Sequence, residues 1–299
     1  MSEFKETLKQ FYFSHPNDWL DSILTRLDDC PVWAREIFET FTTNLEATAN
    51  VASVPFLMAH ASINNAQFQK IYISERIRSL AADNEQHDPL KIAIERRQQQ
   101  IETGETLNHD RDETLRFLKS SQENPEFARA ASELLSEALV MIWGAFEAFI
   151  SEYVRILLNE TPHEAINLLA NDVTKKYFPS RIFSIDSLTT HNFNFTTSMG
   201  DVIFADRHLD SLPMIKDIIS TLSVSSPRLI SALNNDQLWI LWQRRHLIVH
   251  KRGTVDQTYL RKTNEKLELG SRLKISSRQL EEAFKVVIST VSGILDTKR

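Results

Sequence analysis

Residues 243–253, QRRHLIVHKRG, set six side chains that carry or can take a positive charge around three aliphatic ones. The six are Arg244, Arg245, His246, His250, Lys251 and Arg252; the three are Leu247, Ile248 and Val249. On a helix, positions 246 and 250 share one face. Two chemistries are open to this group. A histidine pair at that spacing can bind zinc once a third ligand joins it. No His-Glu-x-x-His arrangement accompanies the pair, and no carboxylate–histidine pattern of a two-metal bundle is evident. The alternative is a basic pocket for a phosphate. The planar fork of arginine matches phosphate oxygens, and imidazole is the side chain best suited to move a proton near neutral pH. Arginine with histidine is what RNA cleavage without a metal requires. One group takes the proton from the ribose 2′-OH, and another stabilises charge on the transferring phosphoryl group.

Glu147 is the second residue that needs a reason. It lies between Phe146 and Phe149 in ALVMIWGAFEAFI, residues 138–150, the most apolar stretch of the chain. A carboxylate there is costly unless it is hydrogen-bonded or paired with a cation. Either it sits at the polar edge of an apolar stripe, or it holds a cation from another helix. Arg244, Arg245, His246 and His250 are the candidate partners.

Composition narrows the setting. The 299 residues are long for one domain and comfortable for two. Six glycines and nine prolines argue against a glycine-loop nucleotide fold and against a turn-rich β protein. The net charge is −6, so no global basic field draws in nucleic acid. From Arg244 to Arg278, however, ten Lys/Arg face three acids, a local balance of +7, which leaves −13 for the rest of the chain. Such asymmetry points to an anionic partner or to a solvated basic face. The single cysteine, Cys30, excludes an intrachain disulfide and fits a reducing compartment. The N-terminal residues carry no signal-peptide pattern, and the apolar stretch at 138–150 is too short to span a bilayer. A cytoplasmic protein with no membrane partner and no cofactor is the expectation.

The elements that must position these residues read as helices. Trp33, Ile37, Phe41 and Leu45 recur every four residues after Pro31 and make one apolar face. Pro55 is read as opening a new helix, with Phe68, Ile71 and Leu80 as core candidates. Residues 89–119 read as one or two exposed helices broken near Gly104. SSQENPEF, residues 120–127, is polar and carries Pro125, which marks a boundary between an N-terminal helical region, 1–125, and a C-terminal helical domain, 126–299. The longest amphipathic helix spans about 128–159. Further helices are expected over 162–178, 211–222, 227–250 and 277–296. KLELGSRLKIS, 266–276, alternates around Gly270 in the manner of a small β-hairpin.

Arg245-His246-Leu-Ile-Val-His250 resembles the Arg-x(4–6)-His signature of the HEPN superfamily, in which a polar residue often follows the arginine. The downstream KRGTVDQTYL is similar to the continuation in the bacterial branch that includes RiboL-PSP-type domains. IWGAFEAFISEYVRIL is similar to the early helix of that superfamily, with Glu147 at its acidic position. The resemblance covers roughly residues 130–296 and says nothing about 1–120. It implies an all-α bundle that pairs as a homodimer, with one motif from each subunit facing a shared cleft. Many such proteins are metal-independent endoribonucleases, often toxins or agents of phage defence; others are non-catalytic modules that bind or dimerise. Carried over, Arg245 would bind and polarise the scissile phosphate. His250 would be the general base or acid, and His246 would position the substrate or its neighbours. Glu147 would orient the arginine or a histidine. The local charge adds Arg244, Lys251 and Arg252 as groups that track the RNA backbone. The additional N-terminal region leaves room for a sensor, an antitoxin or another protein partner.

Overall fold

The computed structural model describes residues 12–13, 30–82, 88–178, 185–204, 208–222 and 227–296. These are mostly helical and contain no strand. The helices are α1 (Arg35–Ala82), α2 (Pro89–Thr103), α3 (Leu107–Ser121), α4 (Pro125–Glu160), α5 (Glu164–Ala170) and α6 (Ile185–Thr190). They continue as α7 (Met199–Phe204), α8 (Leu212–Leu222), α9 (Pro227–Leu233), α10 (Asp236–Lys251), α11 (Gln257–Thr263) and α12 (Ser277–Leu295). Residues 1–11, on which the lack of a leader pattern was read, lie outside the described residues.

The chain packs as two compact units. One holds Tyr12, Phe13 and the described residues of 50–134; the other holds 30–49 and the described residues of 135–296. The sequence boundary at 125 therefore differs from the packing boundary, because 30–49 group with the C-terminal residues.

In the first unit, Tyr12, Ala59, Leu118 and Ala131 form a small core with Phe56, Leu115 and Phe127 against it. The Tyr12 hydroxyl donates to the Leu118 carbonyl at 3.0 Å. Asp88 caps α2 by accepting from the Leu90 and Lys91 amides. Gly104, at φ 68°, ends that helix where the sequence places a break. Between α2 and α3, Arg97 is buried on Asp110 at 2.6 Å and also donates to Asn64 and Thr106. That network satisfies a charge pair which would otherwise be costly to bury.

In the second unit, α4 forms the centre. Leu135, Leu139, Ile142, Phe146, Phe149 and Tyr153 are buried along it, as the stripe requires. Phe41 of α1 packs on Phe149 with ring centroids 5.3 Å apart, and Trp33 packs on Tyr153 at the same spacing. The full 36-residue helix is long and apolar enough to cross a bilayer by length and composition, unlike the 138–150 stretch alone. Its apolar side chains instead supply the core just described. A side-chain carbon at Gly200 would run into the Arg155 carbonyl, so only glycine lets α7 come this close to α4. Asn159 receives the Gly200 amide at 2.8 Å, and Arg155 pairs with Asp201. α12 opens with a reciprocal cap between Ser276 and Gln279 and packs on α9 and α10.

Four expectations are corrected. Pro55 does not open a helix; it lies inside α1, and Ala52 and Ala59 are buried on either side of it. Packing of that face offsets the one hydrogen bond that proline forfeits. Leu80 is exposed and Phe68 and Ile71 are half-buried. The helix expected over 162–178 is α5 followed by a 3₁₀ turn at Lys175–Tyr177, because Asn171 is extended and its side chain receives the Val173 amide. The helix expected over 227–250 is split by Asn235, whose side chain caps α10 through the Gln237 amide at 2.8 Å.

No hairpin forms within 266–276. The Gly253, Val255 and Leu273 backbone groups instead bond across to one another's segments, Leu273 to Gly253 and Val255 to Ser271, around a single antiparallel bridge between Thr254 and Arg272. Eleven alternating residues read alone cannot say which segment they pair with.

Candidate functional site on α10

Helix α10 carries five of the seven residues singled out from the sequence, and Arg252 is its C-cap; only Glu147 lies elsewhere. Leu238, Leu241, Gln243, Arg244 and Leu247 are its buried side. At about 100° per residue, Trp239, Trp242, Arg245, His246, Val249 and His250 fall within an arc of about 140°, with the buried Leu238 near its Arg245 edge. His246, Val249 and His250 are exposed there, and Trp239, Trp242 and Arg245 are half-buried. The two imidazoles meet at a tilt, with ring centroids 4.6 Å apart and planes at 48°.

The helix ends in a turn that holds the basic residues outward. The Arg252 and Gly253 amides both donate to the Leu247 carbonyl. Arg252 takes the left-handed conformation at φ 52° and Gly253 follows at 74°. The bonds from 253–255 to 270–273 then tie this turn to the rest of the unit. Lys251 and Arg252 are exposed at the end of the helix, where cations suit the dipole.

Arg244 and Arg245 have opposite fates. Arg244 is buried and pairs with Glu265 at 2.5 Å. The Tyr259 hydroxyl donates to the other oxygen of the same carboxylate. Burial, then this bond to the Glu265 carboxylate, hold the Tyr259 phenol well above its ordinary range. Arg244 is therefore a structural anchor for the segment after α11 and is not placed to track an RNA backbone. Sequence reasoning missed its partners because Tyr259 lies on the separate short helix α11 and Glu265 just after it, so no spacing within α10 points to either.

Arg245 faces α4. Its Nη2 stands 3.9 Å from Glu147 Oε2, and both side chains are a little over one-fifth exposed. The same oxygen accepts the indole N–H of the fully buried Trp143 at 2.9 Å. Burial raises the Glu147 carboxyl above its ordinary value; the Trp143 hydrogen bond and the Arg245 charge act against it, as does His208, while Asp210 adds to it. Glu147 thus lies at the edge of the apolar stripe and beside a cation, so both readings of it from sequence hold in part.

His246 is held below its ordinary imidazole value, first by partial burial and then by His250, Lys262 and Arg245, with Asp256 opposing. It is neutral at neutral pH and offers a lone pair. His250 stands roughly 140° around the helix from Arg245 and about 7.5 Å further along it, with His246 between them. One helix thus presents a cation, a neutral imidazole and a second imidazole in sequence along an open face. Such a face can contact an anion, accept a proton and return it.

The sequence did not single out Trp239, Trp242 and Lys262. The Trp239 indole N–H donates to the Lys262 carbonyl at 3.1 Å, and the two indoles meet edge to face at 5.1 Å. The signal was present as LWILW, residues 238–242, inside the helix expected over 227–250. Comparison with protein-family models, with curated proteins and with solved structures returned no match to this chain.

Proposed function

We propose that this protein is a metal-independent endoribonuclease of HEPN type, acting as a cytoplasmic toxin or in phage defence. The observation that carries the reading is the exposed His246/His250 pair beside Arg245, on a helix that also holds Arg245 loosely on Glu147. A tightly sealed arginine could not leave its carboxylate for a phosphate; one at 3.9 Å with an exposed edge can.

In this reading His250 takes the proton from a ribose 2′-OH, and the freed oxygen attacks the adjacent phosphorus. Arg245 stabilises the charge that develops on the phosphoryl oxygens. The bond to the 5′ oxygen breaks, that oxygen takes a proton, and the products are a 2′,3′-cyclic phosphate and a 5′-hydroxyl. His246 positions the substrate, Glu147 steers Arg245, and Lys251 and Arg252 follow the backbone. Two copies of α10 facing one another would place the groups of one subunit opposite those of its partner, which makes a homodimer the expected form.

A second reading keeps a specific observation. The Glu147–Arg245 contact also joins α4 to α10, as a non-catalytic module that binds RNA or a nucleotide, or that dimerises, would use it. Incubation with a mixed RNA pool in EDTA separates the two. The nuclease reading expects wild-type protein to leave cyclic-phosphate ends and His250→Ala to lose that activity. Equal degradation by both, or none by either, leaves only the binding module.

A further inference from the structure

The outer side of α10 carries two partly exposed indoles. Trp239 and Trp242 are half-buried there, whereas Trp143 is wholly inside the core. Two indoles left at a surface need a reason, since each could bury a large apolar area. Trp239 is also fixed in place. Its one polar group is satisfied by the Lys262 carbonyl, and its ring rests against Trp242. The Lys262 ammonium stands 6.0 Å from the centre of the Trp242 ring, within the range of a cation–π contact.

The rings continue along the helix. Trp242, His246 and His250 follow at four-residue steps, and His246 and His250 already lie against each other. From Trp239 to His250 this is roughly 16 Å of helix. Lys251, Arg252, Arg261 and Lys262 are exposed around it, within the segment that carries +7. Flat rings interleaved with cations are the recognised means of holding a single strand, in which base faces are free to stack and phosphates run alongside. A duplex hides its base faces and gains nothing from such a row.

We propose that Trp239 and Trp242 form a base-stacking platform that holds single-stranded RNA beside Arg245, His246 and His250. This rests on the reading of that site as an RNA site. It adds that the substrate is unpaired, and that the nucleotides flanking the cut are gripped by their rings.

The test is fluorescence anisotropy on the full chain with a labelled 2′-O-methyl RNA, which has no 2′-OH to attack, as a single strand and as a duplex of the same sequence. Trp242→Leu is expected to weaken single-strand binding by about tenfold or more. Trp242→Phe should recover most of the loss, because it restores a ring. Duplex binding should change by less than about threefold. Equal losses on single strand and duplex, or no loss in a folded Trp242→Leu protein, overturn the platform. So does a change of oligomeric state in that variant with RNA affinity intact, which would make this face a protein interface. If wild type binds neither RNA, the RNA reading itself fails. If it binds the single strand through Trp242 yet cleaves no unmodified RNA of the same sequence, the platform stands and only the nuclease reading fails.

Discussion

Arg245 approaches Glu147 to 3.9 Å on the same carboxylate oxygen that accepts the Trp143 indole N–H at 2.9 Å. The neutral donor, rather than the cation, holds the better geometry. The carboxylate is therefore kept in place by α4 itself, one turn away, and the arginine is left with a weak hold.

A pH dependence follows. Burial raises the Glu147 carboxyl in the folded protein. Between its ordinary value and the raised one, the folded protein keeps a proton that the unfolded chain has lost, so stability falls as pH climbs through that window. Glu147→Gln keeps an acceptor for Trp143 and has no charge to desolvate. Thermal melts at about pH 4 and about pH 7 should show the variant gaining on wild type at the higher pH. A difference that stays flat, or moves toward wild type, counts against the assignment.

The two adjacent arginines should behave oppositely. Arg244→Ala leaves the Glu265 carboxylate and the Tyr259 hydroxyl without their cation in a buried place, and about 3–5 kcal/mol should be lost in urea unfolding. Arg245→Ala removes a loose, partly exposed contact, and a loss of about 0–1 kcal/mol is expected. RNA cleavage should follow the reverse order once each variant is compared at equal folded concentration. A large loss of stability in Arg245→Ala would give it the structural role instead.

His246 should titrate below the ordinary imidazole range, because burial and then His250, Lys262 and Arg245 disfavour its cation. Proton NMR of the ring Cε1–H reads this directly. In His250→Ala one of the repelling groups is gone, and the His246 midpoint should move up. The linkage sign is fixed by the same shift. As pH falls through the ordinary value, the unfolded chain takes the proton first and the folded state loses stability. An unshifted midpoint in both proteins would overturn the burial and the repulsion assigned to His246.

Much of this arrangement was legible in the residues. The α4 stripe, the Gly104 break and the clustering of Arg245, His246 and His250 all rest on local spacing, which a helix turns directly into a shared face. Most of what escaped depended on distant chain. Arg244 looks as exposed as Arg245 until Glu265 and Tyr259 come back to cover it. Asn235 looks like one more polar residue in a long helix until its side chain is seen to cap α10. Residues 266–276 alternate as a hairpin would, yet their backbone partner is the segment 253–255. Pro55 reads as a helix start because nothing local reveals the face, with Ala52 and Ala59, that carries α1 through it.

Arg252 joins the helix end to the site, and its variants should separate the two. It sits at φ 52°, a left-handed conformation that costs a residue with a Cβ about 1–2 kcal/mol. Glycine adopts it freely but gives up about 0.5–1 kcal/mol through the greater freedom of its unfolded chain. Arg252→Gly should therefore gain about 0.5–1 kcal/mol in urea unfolding, with the Arg252 and Gly253 amides still bonded to the Leu247 carbonyl. If Arg252 touches the RNA backbone, the same variant should bind RNA more weakly, and the steepness of its salt dependence should drop by about one phosphate contact. Stability and affinity would then move in opposite directions. A variant that is more stable and binds with an unchanged salt slope would confine Arg252 to ending the helix.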